Sequence, residues 1–281
     1  MLALMFAGQG SQGKGMGVEV FGRYPGLVHF ASEVLGYDLV SLCAEDPENL
    51  LGRTEYTQPA LYVVNALRTF ERMHQEDPSA DFYLGHSLGE YNALLAAGVF
   101  DFETGLRLVA KRGELMAAAS DGGMTAVMNT PAEQLRSIFS EDDVDGIDIA
   151  GFNTGSQLVI AATPPQLTAA HAALERRDIR FVPLKVSAPF HSRYMEPARV
   201  QFAEFIEQFS FSDPITPVIS NVTARPYEPG QVARLLTEQL VTPVRWTDSI
   251  RALLDNNDGV EFAEIGGFAL SQMVFKIKTG A

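Results

Sequence analysis

The sequence predicts an α/β protein, a parallel sheet wrapped by helices with a small ferredoxin-like subdomain inserted into it. Three observations carry this. Short apolar runs alternate with helix-period stretches along most of the chain. The run Leu2-Ala3-Leu4-Met5-Phe6 is continuously apolar, as a strand buried on both faces requires. Residues 119–188 change rhythm and read β-α-β-β-α-β.

In order, the strand over 2–6 ends in the turn-forming Gly8-Gln9-Gly10. Helices follow over 26–35 and 58–76; Ala60, Val63, Val64, Leu67 and Phe70 form a helical stripe on the second. A second strand over 81–84 runs straight into Gly85-His86-Ser87-Leu88-Gly89, and an apolar helix over 88–97 is closed by Gly98. In the inserted segment, a strand over 124–128 precedes a helix over 131–139 that opens with proline at a tolerated position. Strands over 147–152 and 158–162 pair across Asn153-Thr154-Gly155-Ser156, followed by a helix over 164–177 and a strand over 181–186. The rest returns to long helices and two strands, 217–221 and 260–265. The expected division is a large subdomain of residues 1–118 and 189–281 and a small one of residues 119–188.

Composition bounds the function. The 281 residues are 46% hydrophobic and 20% charged, which is globular, with a formal charge of -14. That balance argues against nucleic acid and against an anionic membrane surface, both of which call for basic clusters. No stretch approaches the ~20 apolar residues of a membrane helix, and residues 2–7 are too short and lack the basic start of a signal segment. A cytoplasmic location is expected. The single cysteine, Cys43, allows no intramolecular disulfide and reads as a small buried apolar residue. No His/Cys cluster at ligand spacing implies a metal.

Gly-x-Ser-x-Gly between a strand and a helix is a nucleophile-elbow signature, with Ser87 at the tip of a sharp turn. The bare string is common, so an ordinary loop serine stays open. A serine nucleophile needs a base, and there are five histidines. His29 and His74 fall on helices with polar neighbours, and His171 lies mid-helix in the inserted segment. His86 adjoins Ser87, but neighbours on a tight turn point apart. His191 sits at a strand end among proline and small residues, and the residues alone leave it an even choice. Leu88, after the nucleophile, supplies one backbone N–H for a developing oxyanion, and Gly8-Gln9-Gly10-Ser11-Gln12 opens on the same sheet edge. Gly8, Gly10 and Gly13 match Gly-x-Gly-x-x-Gly literally, yet no acidic residue follows a second strand in a βαβ unit. Phosphate binding therefore remains a minority reading.

Four segments in order together resemble one family: Gly8-Gln9-Gly10-Ser11-Gln12, Gly85-His86-Ser87-Leu88-Gly89-Glu90, Lys111-Arg112-Gly113-Glu114-Leu115-Met116 and Ala188-Pro189-Phe190-His191-Ser192. It is the malonyl-CoA:acyl-carrier-protein transacylases and the acyltransferase domains of polyketide synthases, and the likeness spans nearly the whole chain. The stretches Thr54-Glu55-Tyr56-Thr57-Gln58-Pro59-Ala60-Leu61-Tyr62 and Asp101-Phe102-Glu103-Thr104-Gly105 look most like discrete acyltransferases, the free-standing enzymes serving polyketide synthases that lack built-in ones.

The resemblance implies a hydrolase-like α/β core with a ferredoxin-like subdomain. It implies Ser87 as nucleophile, His191 as base, and an oxyanion hole from the backbone N–H groups of Gln9 and Leu88. Arg112, which alone reads as a solvated helix charge beside Lys111, would pair with the malonyl carboxylate through parallel hydrogen bonds that lysine cannot make. Gln239, in Glu238-Gln239-Leu240, matches the position whose backbone carbonyl orients the histidine, and Asn153 matches a position near the substrate. Phe190 resembles the malonyl-type signature, where an aromatic leaves little room for an α-methyl branch.

The implied reaction moves malonyl from coenzyme A, a substrate and not a cofactor, to the phosphopantetheine thiol of an acyl carrier protein. No cofactor is implied, and the resemblance favours a monomer. The alternatives are a thioester or acyl-carrier hydrolase of the same fold, a housekeeping fatty-acid transacylase, and a non-catalytic carrier-docking scaffold. Two departures stand out: Ala7 where proline is frequent, and Gly266-Gly267-Phe268 in place of Gly-Pro-Gly.

Overall fold

The structure, a computed structural model, describes residues 1–75, 80–119 and 121–280. Its strands are β1 (Leu2–Phe6), β2 (Phe82–Gly85), β3 (Gly123–Met128), β4 (Asp148–Thr154), β5 (Gln157–Ala162), β6 (Phe181–Pro183), β7 (Val218–Ile219) and β8 (Glu261–Ile265). They form two four-stranded sheets, β7-β2-β1-β8 and β4-β5-β3-β6.

The first sheet is parallel throughout, with β1 at its centre in register Phe6 to Gly85 and Phe6 to Ile265. The alternation within β1 explains why its sequence is apolar without interruption. Ala3 and Met5 pack with Leu84, Ile219, Trp246 and Ile250 on one face, while Leu4 and Phe6 join Tyr83 and Val218 on the other. Each buried Val, Leu, Ile, Phe or Met among them contributes roughly 1.5–3 kcal/mol of transfer free energy. The larger core is completed by helices Thr54–His74 and Phe102–Ala118, held close where the Tyr62 hydroxyl donates to the Phe102 carbonyl at 3.1 Å.

The second sheet is antiparallel. Its chain order is strand, helix Ala132–Glu141, two strands, helix Pro164–Glu175, strand. The two helices bury Leu135, Ile138, Phe139, Ala170 and Leu174 against Val127, Leu158 and Ile160. At the outer edge, β4 is bound to the main body through its backbone: Val244 N–H donates to Ala150 O, and Phe152 N–H donates to Val244 O, both at 2.9 Å.

The expected elements are present, with shifted ends. The helix expected over 58–76 begins at Thr54 and runs to His74; Glu76 lies outside the described residues, as does Ser120 at the start of the inserted segment. The strand expected over 181–186 ends at Pro183; Leu184 N–H still reaches Met124 O, and Val186 N–H then turns back to Leu184 O. That over 217–221 pairs only at Val218–Ile219, because Ser220 N–H turns back to Arg225 O and Asn221 leaves toward the elbow. Cys43 is buried as expected, and burial with Asp46 nearby pushes its thiol up to about 12.

Candidate active site

The elbow is built by close backbone contact. A Cβ on Gly89 would collide with the Phe6 carbonyl, so the helix Gly89–Ala96 lies directly against the end of β1. A Cβ on Gly8 would collide with the His86 carbonyl, so the loop after β1 presses against the turn. Ser87 itself sits at φ 54, a conformation that L residues rarely adopt. Asn221 holds it there from both sides, accepting from Ser87 N–H and donating to Gly85 O, each at 2.7 Å. Gly89 N–H bonds back to His86 O, which leaves the Leu88 N–H among the unpaired donors of the first helical turn.

His191 also takes positive φ, 57, which turns its ring toward the elbow. Its Nδ1 lies 2.8 Å from the Gln239 carbonyl oxygen and its Nε2 2.7 Å from Ser87 Oγ. A carbonyl only accepts, so the proton belongs on Nδ1, and Nε2 is free to accept from the serine hydroxyl. Burial and the nearby Arg112 charge push His191 down to about 3, with the Gln239 carbonyl opposing. The imidazole is neutral at ordinary pH, as a proton acceptor must be.

Arg112 is fully buried although Lys111 beside it pairs with Glu114 at the surface. Its Nη1 donates to Gln58 Oε1 at 2.7 Å, and its Nη2 to Ser87 Oγ at 3.0 Å and Gln239 Oε1 at 2.9 Å. The Tyr91 ring lies 5.5 Å from the guanidinium carbon. Burial lowers its pKa from the ordinary value, opposed by Tyr91 and Glu90. All its hydrogen-bond partners are neutral, so a buried cation faces Ser87 Oγ without a bonded carboxylate among the described residues.

Gln9, Gln58, Ser87, Asn153, Phe190 and His191 line one cavity of ≈ 290 Å³. Irregular pairing of β4 with β5 at Ala150 and Asn153 turns both toward it, the usual service of a bulge. Asn153 Oδ1 lies 3.0 Å from His86 Nε2, which engages that ring away from Ser87. Phe190 is 5% exposed. The segment after Gly266-Gly267-Phe268 supplies wall residues Ala269, Leu270 and Met273, while Phe268 points outward at 81% exposure. The other histidines are engaged elsewhere: His29 with Glu33, His74 stacked on Tyr24, and His171 on Thr125 and Phe181.

Three residues without an expected role complete the site. Gln58 and Asn221 carry the bonds given above, and Glu90 is buried, accepting from Tyr227 OH at 2.6 Å, Asn221 N–H at 3.1 Å and Gln239 Nε2. Burial raises the Glu90 carboxyl to about 7, with its hydrogen bonds and the Arg112 charge opposing. Glu90 closes one of the motifs read from the sequence; nothing local marks it as buried.

Serine, neutral histidine, backbone donors and a cation buried behind Ser87 suit acyl transfer through a covalent serine intermediate. No group of three or more His, Cys, Asp or Glu among the described residues is placed to hold a metal. The family model described as acyl transferase domain matches residues 4–279. The polyketide biosynthesis protein ThaF of Burkholderia thailandensis is 50% identical over 100% of this chain, which spans 25% of ThaF. The polyketide biosynthesis malonyl CoA-acyl carrier protein transacylase BaeC of Bacillus velezensis is 46% identical over 99% of this chain and 97% of its own. The crystal structure of a malonyl CoA-acyl carrier protein transacylase from Burkholderia pseudomallei superposes with TM-score 0.97 at 46% identity, covering 100% of this chain and 99% of the other. With a match over nearly its full length and about half its residues shared with such relatives, the chain belongs to the acyl transferase domain family.

Proposed function

We propose that this chain is a malonyl-CoA:acyl-carrier-protein transacylase that loads malonyl units for polyketide synthesis. The observation that carries the reading is Arg112, buried and with no bonded carboxylate among the described residues, its Nη2 at 3.0 Å from Ser87 Oγ. A neutral acyl chain gains nothing from such a charge, whereas a carboxylate one methylene beyond the thioester carbon finds its partner there.

The steps follow from the geometry. Ser87 gives its proton to His191 Nε2 and attacks the malonyl thioester, forming a C–O bond as the C–S bond breaks. The Leu88 and Gln9 N–H groups hold the oxyanion, and coenzyme A leaves with the proton that His191 returns to its sulfur. The phosphopantetheine thiol of a carrier protein then gives its proton to His191 and attacks the malonyl-serine; a C–S bond forms, the ester C–O bond breaks, and Ser87 Oγ takes the proton back from His191 Nε2. Gln239 O keeps the ring in one tautomer throughout. Phe190 limits the room for an α-methyl branch, and Asn153 faces the substrate from the second sheet.

The wider reading is that the small sheet and its two helices form a ferredoxin-like subdomain over 119–188, set into a hydrolase-like core of 1–118 and 189–281. The sheet order and the β-α-β-β-α-β chain order support it. We further infer a cytoplasmic monomer that works without cofactor or metal and binds neither nucleic acid nor membrane. No single helix among the described residues is long and apolar enough to cross a membrane.

Intact-mass measurement after exposure to malonyl-, methylmalonyl- and acetyl-CoA tests the function. A malonyl adduct absent from Ser87→Ala, discharged faster by holo carrier protein than by water, is expected. Rapid release of free malonate would instead make the chain a hydrolase.

A further inference from the structure

We propose that Glu90 is a positioning residue for the transfer reaction, setting the orientation of the Gln239 amide and through it the placement of both Arg112 and His191. The inference rests on the malonyl-transfer reading and deepens it. Gln239 occupies a junction: its backbone oxygen accepts from His191 Nδ1, its Oε1 accepts from Arg112 Nη2, and its Nε2 donates to Ser87 O at 3.1 Å and to Glu90 Oε2. A primary amide can sit in either of two flipped orientations unless its neighbours differ in polarity. Here they differ completely. Arg112 can only donate and an ionised carboxylate can only accept, so the chain of bonds from guanidinium to amide to Glu90 has one allowed direction.

Glu90 is itself held at a fixed point. Its Oε1 accepts from Tyr227 OH and Asn221 N–H, and Asn221 also clamps the Ser87 and Gly85 backbone. One carboxylate therefore ties the elbow, the histidine's carbonyl and the arginine into a single polar network. The titratable and charged groups facing it are Tyr227, Arg112, the adjoining Tyr91 and, across Gln239, His191. Replacing Glu90 by glutamine keeps its shape but presents either an NH₂ group to the Gln239 amide or an oxygen to it and NH₂ to the Asn221 and Tyr227 donors. In the first case the Gln239 amide flips toward a donor-donor clash with Arg112; in the second, Glu90's own donors are left unpaired.

Protonation of Glu90 loosens the same direction of bonding, so acylation requires its ionised form. Its carboxyl lies near 7, and the free enzyme's acylation rate then falls as pH drops below that value. His191, near 3, does not supply that limb.

The test is the pH dependence of the second-order rate of malonyl-serine formation for wild type, Glu90→Gln and Tyr227→Phe, followed by intact mass. Wild type should show an acid limb near pH 7. Glu90→Gln should be slower by about 100-fold, the scale of misplacing a reacting group, with the limb gone. Tyr227→Phe, which keeps the carboxylate but removes one donor, should move the limb to higher pH. Wild-type rate or an unchanged limb in Glu90→Gln would overturn the role of Glu90 while leaving malonyl transfer intact. If Glu90→Gln does not fold, an unmoved limb in Tyr227→Phe overturns it alone. Wild type that takes no malonyl would remove the transfer reading and this inference with it.

Discussion

The Arg112 guanidinium donates to Ser87 Oγ at 3.0 Å, so in the proposed reaction the cation that receives the acyl carboxylate touches the atom that carries the acyl group. Selectivity and reactivity are therefore coupled at one oxygen. Arg112→Ala should lower malonyl transfer by at least about two orders of magnitude, since leaving a buried charge unpaired costs about 3–5 kcal/mol. Acetyl transfer should fall much less. The ratio of the two kcat/KM values checks this, and Arg112→Lys should restore only part of it because the forked geometry is lost.

Phe190 stands in the cavity wall beside His191. Phe190→Ala should admit a branched acyl group, raising methylmalonyl relative to malonyl transfer by about tenfold, the scale of one methyl-sized difference in an apolar pocket. The fold should lose about 3 kcal/mol from the cavity left behind. Competition between the two coenzyme A esters, together with a urea titration, reads both.

The elbow depends on backbone contact, and its glycines make a sharp stability prediction. Gly89→Ala would drive a methyl group into the Phe6 carbonyl at the end of the central strand, where neither backbone can give way. A loss of about 4 kcal/mol or more is expected, at the severe end for single substitutions. Thermal unfolding and soluble yield report it.

His191 makes stability pH-dependent. Its pKa falls from the ordinary 6.5 to about 3 in the fold, so between those values the unfolded chain binds a proton that the native chain does not. The contribution is fully present above about pH 6.5 and is lost as pH falls toward 3. The stability difference between wild type and His191→Gln should therefore shift against wild type from pH 6.5 down to 4. Denaturant titrations of the pair at several pH values measure it.

What the sequence revealed of this site followed how local each requirement is. Ser87 was legible because a strand, a tight turn and a helix within a dozen residues demand small neighbours on both sides. Arg112 was visible as a residue, but not as a buried one: its environment comes from helices Thr54–His74 and Gly89–Ala96 packing over it, and it reads locally like its solvated neighbour Lys111. His191 lies 104 positions from Ser87, beyond any local spacing rule, and only the order of the motifs points to it. Glu90 and Gln239 are 149 positions apart, and no spacing rule marks a carboxylate whose partners arrive from such distances. The strands expected over 181–186 and 217–221 end early for a related reason, since pairing stops where the backbone turns back on itself and not where apolar residues end.

The Val244 backbone, bonded on either side to Ala150 and Phe152, acts as a rivet between the two sheets. Val244, Ala150 and Asn153 all border the same cavity, so the width of that opening is set by main-chain hydrogen bonds and not by a swinging jaw. In the proposed reaction a thioester arm enters a slot whose width the main chain sets.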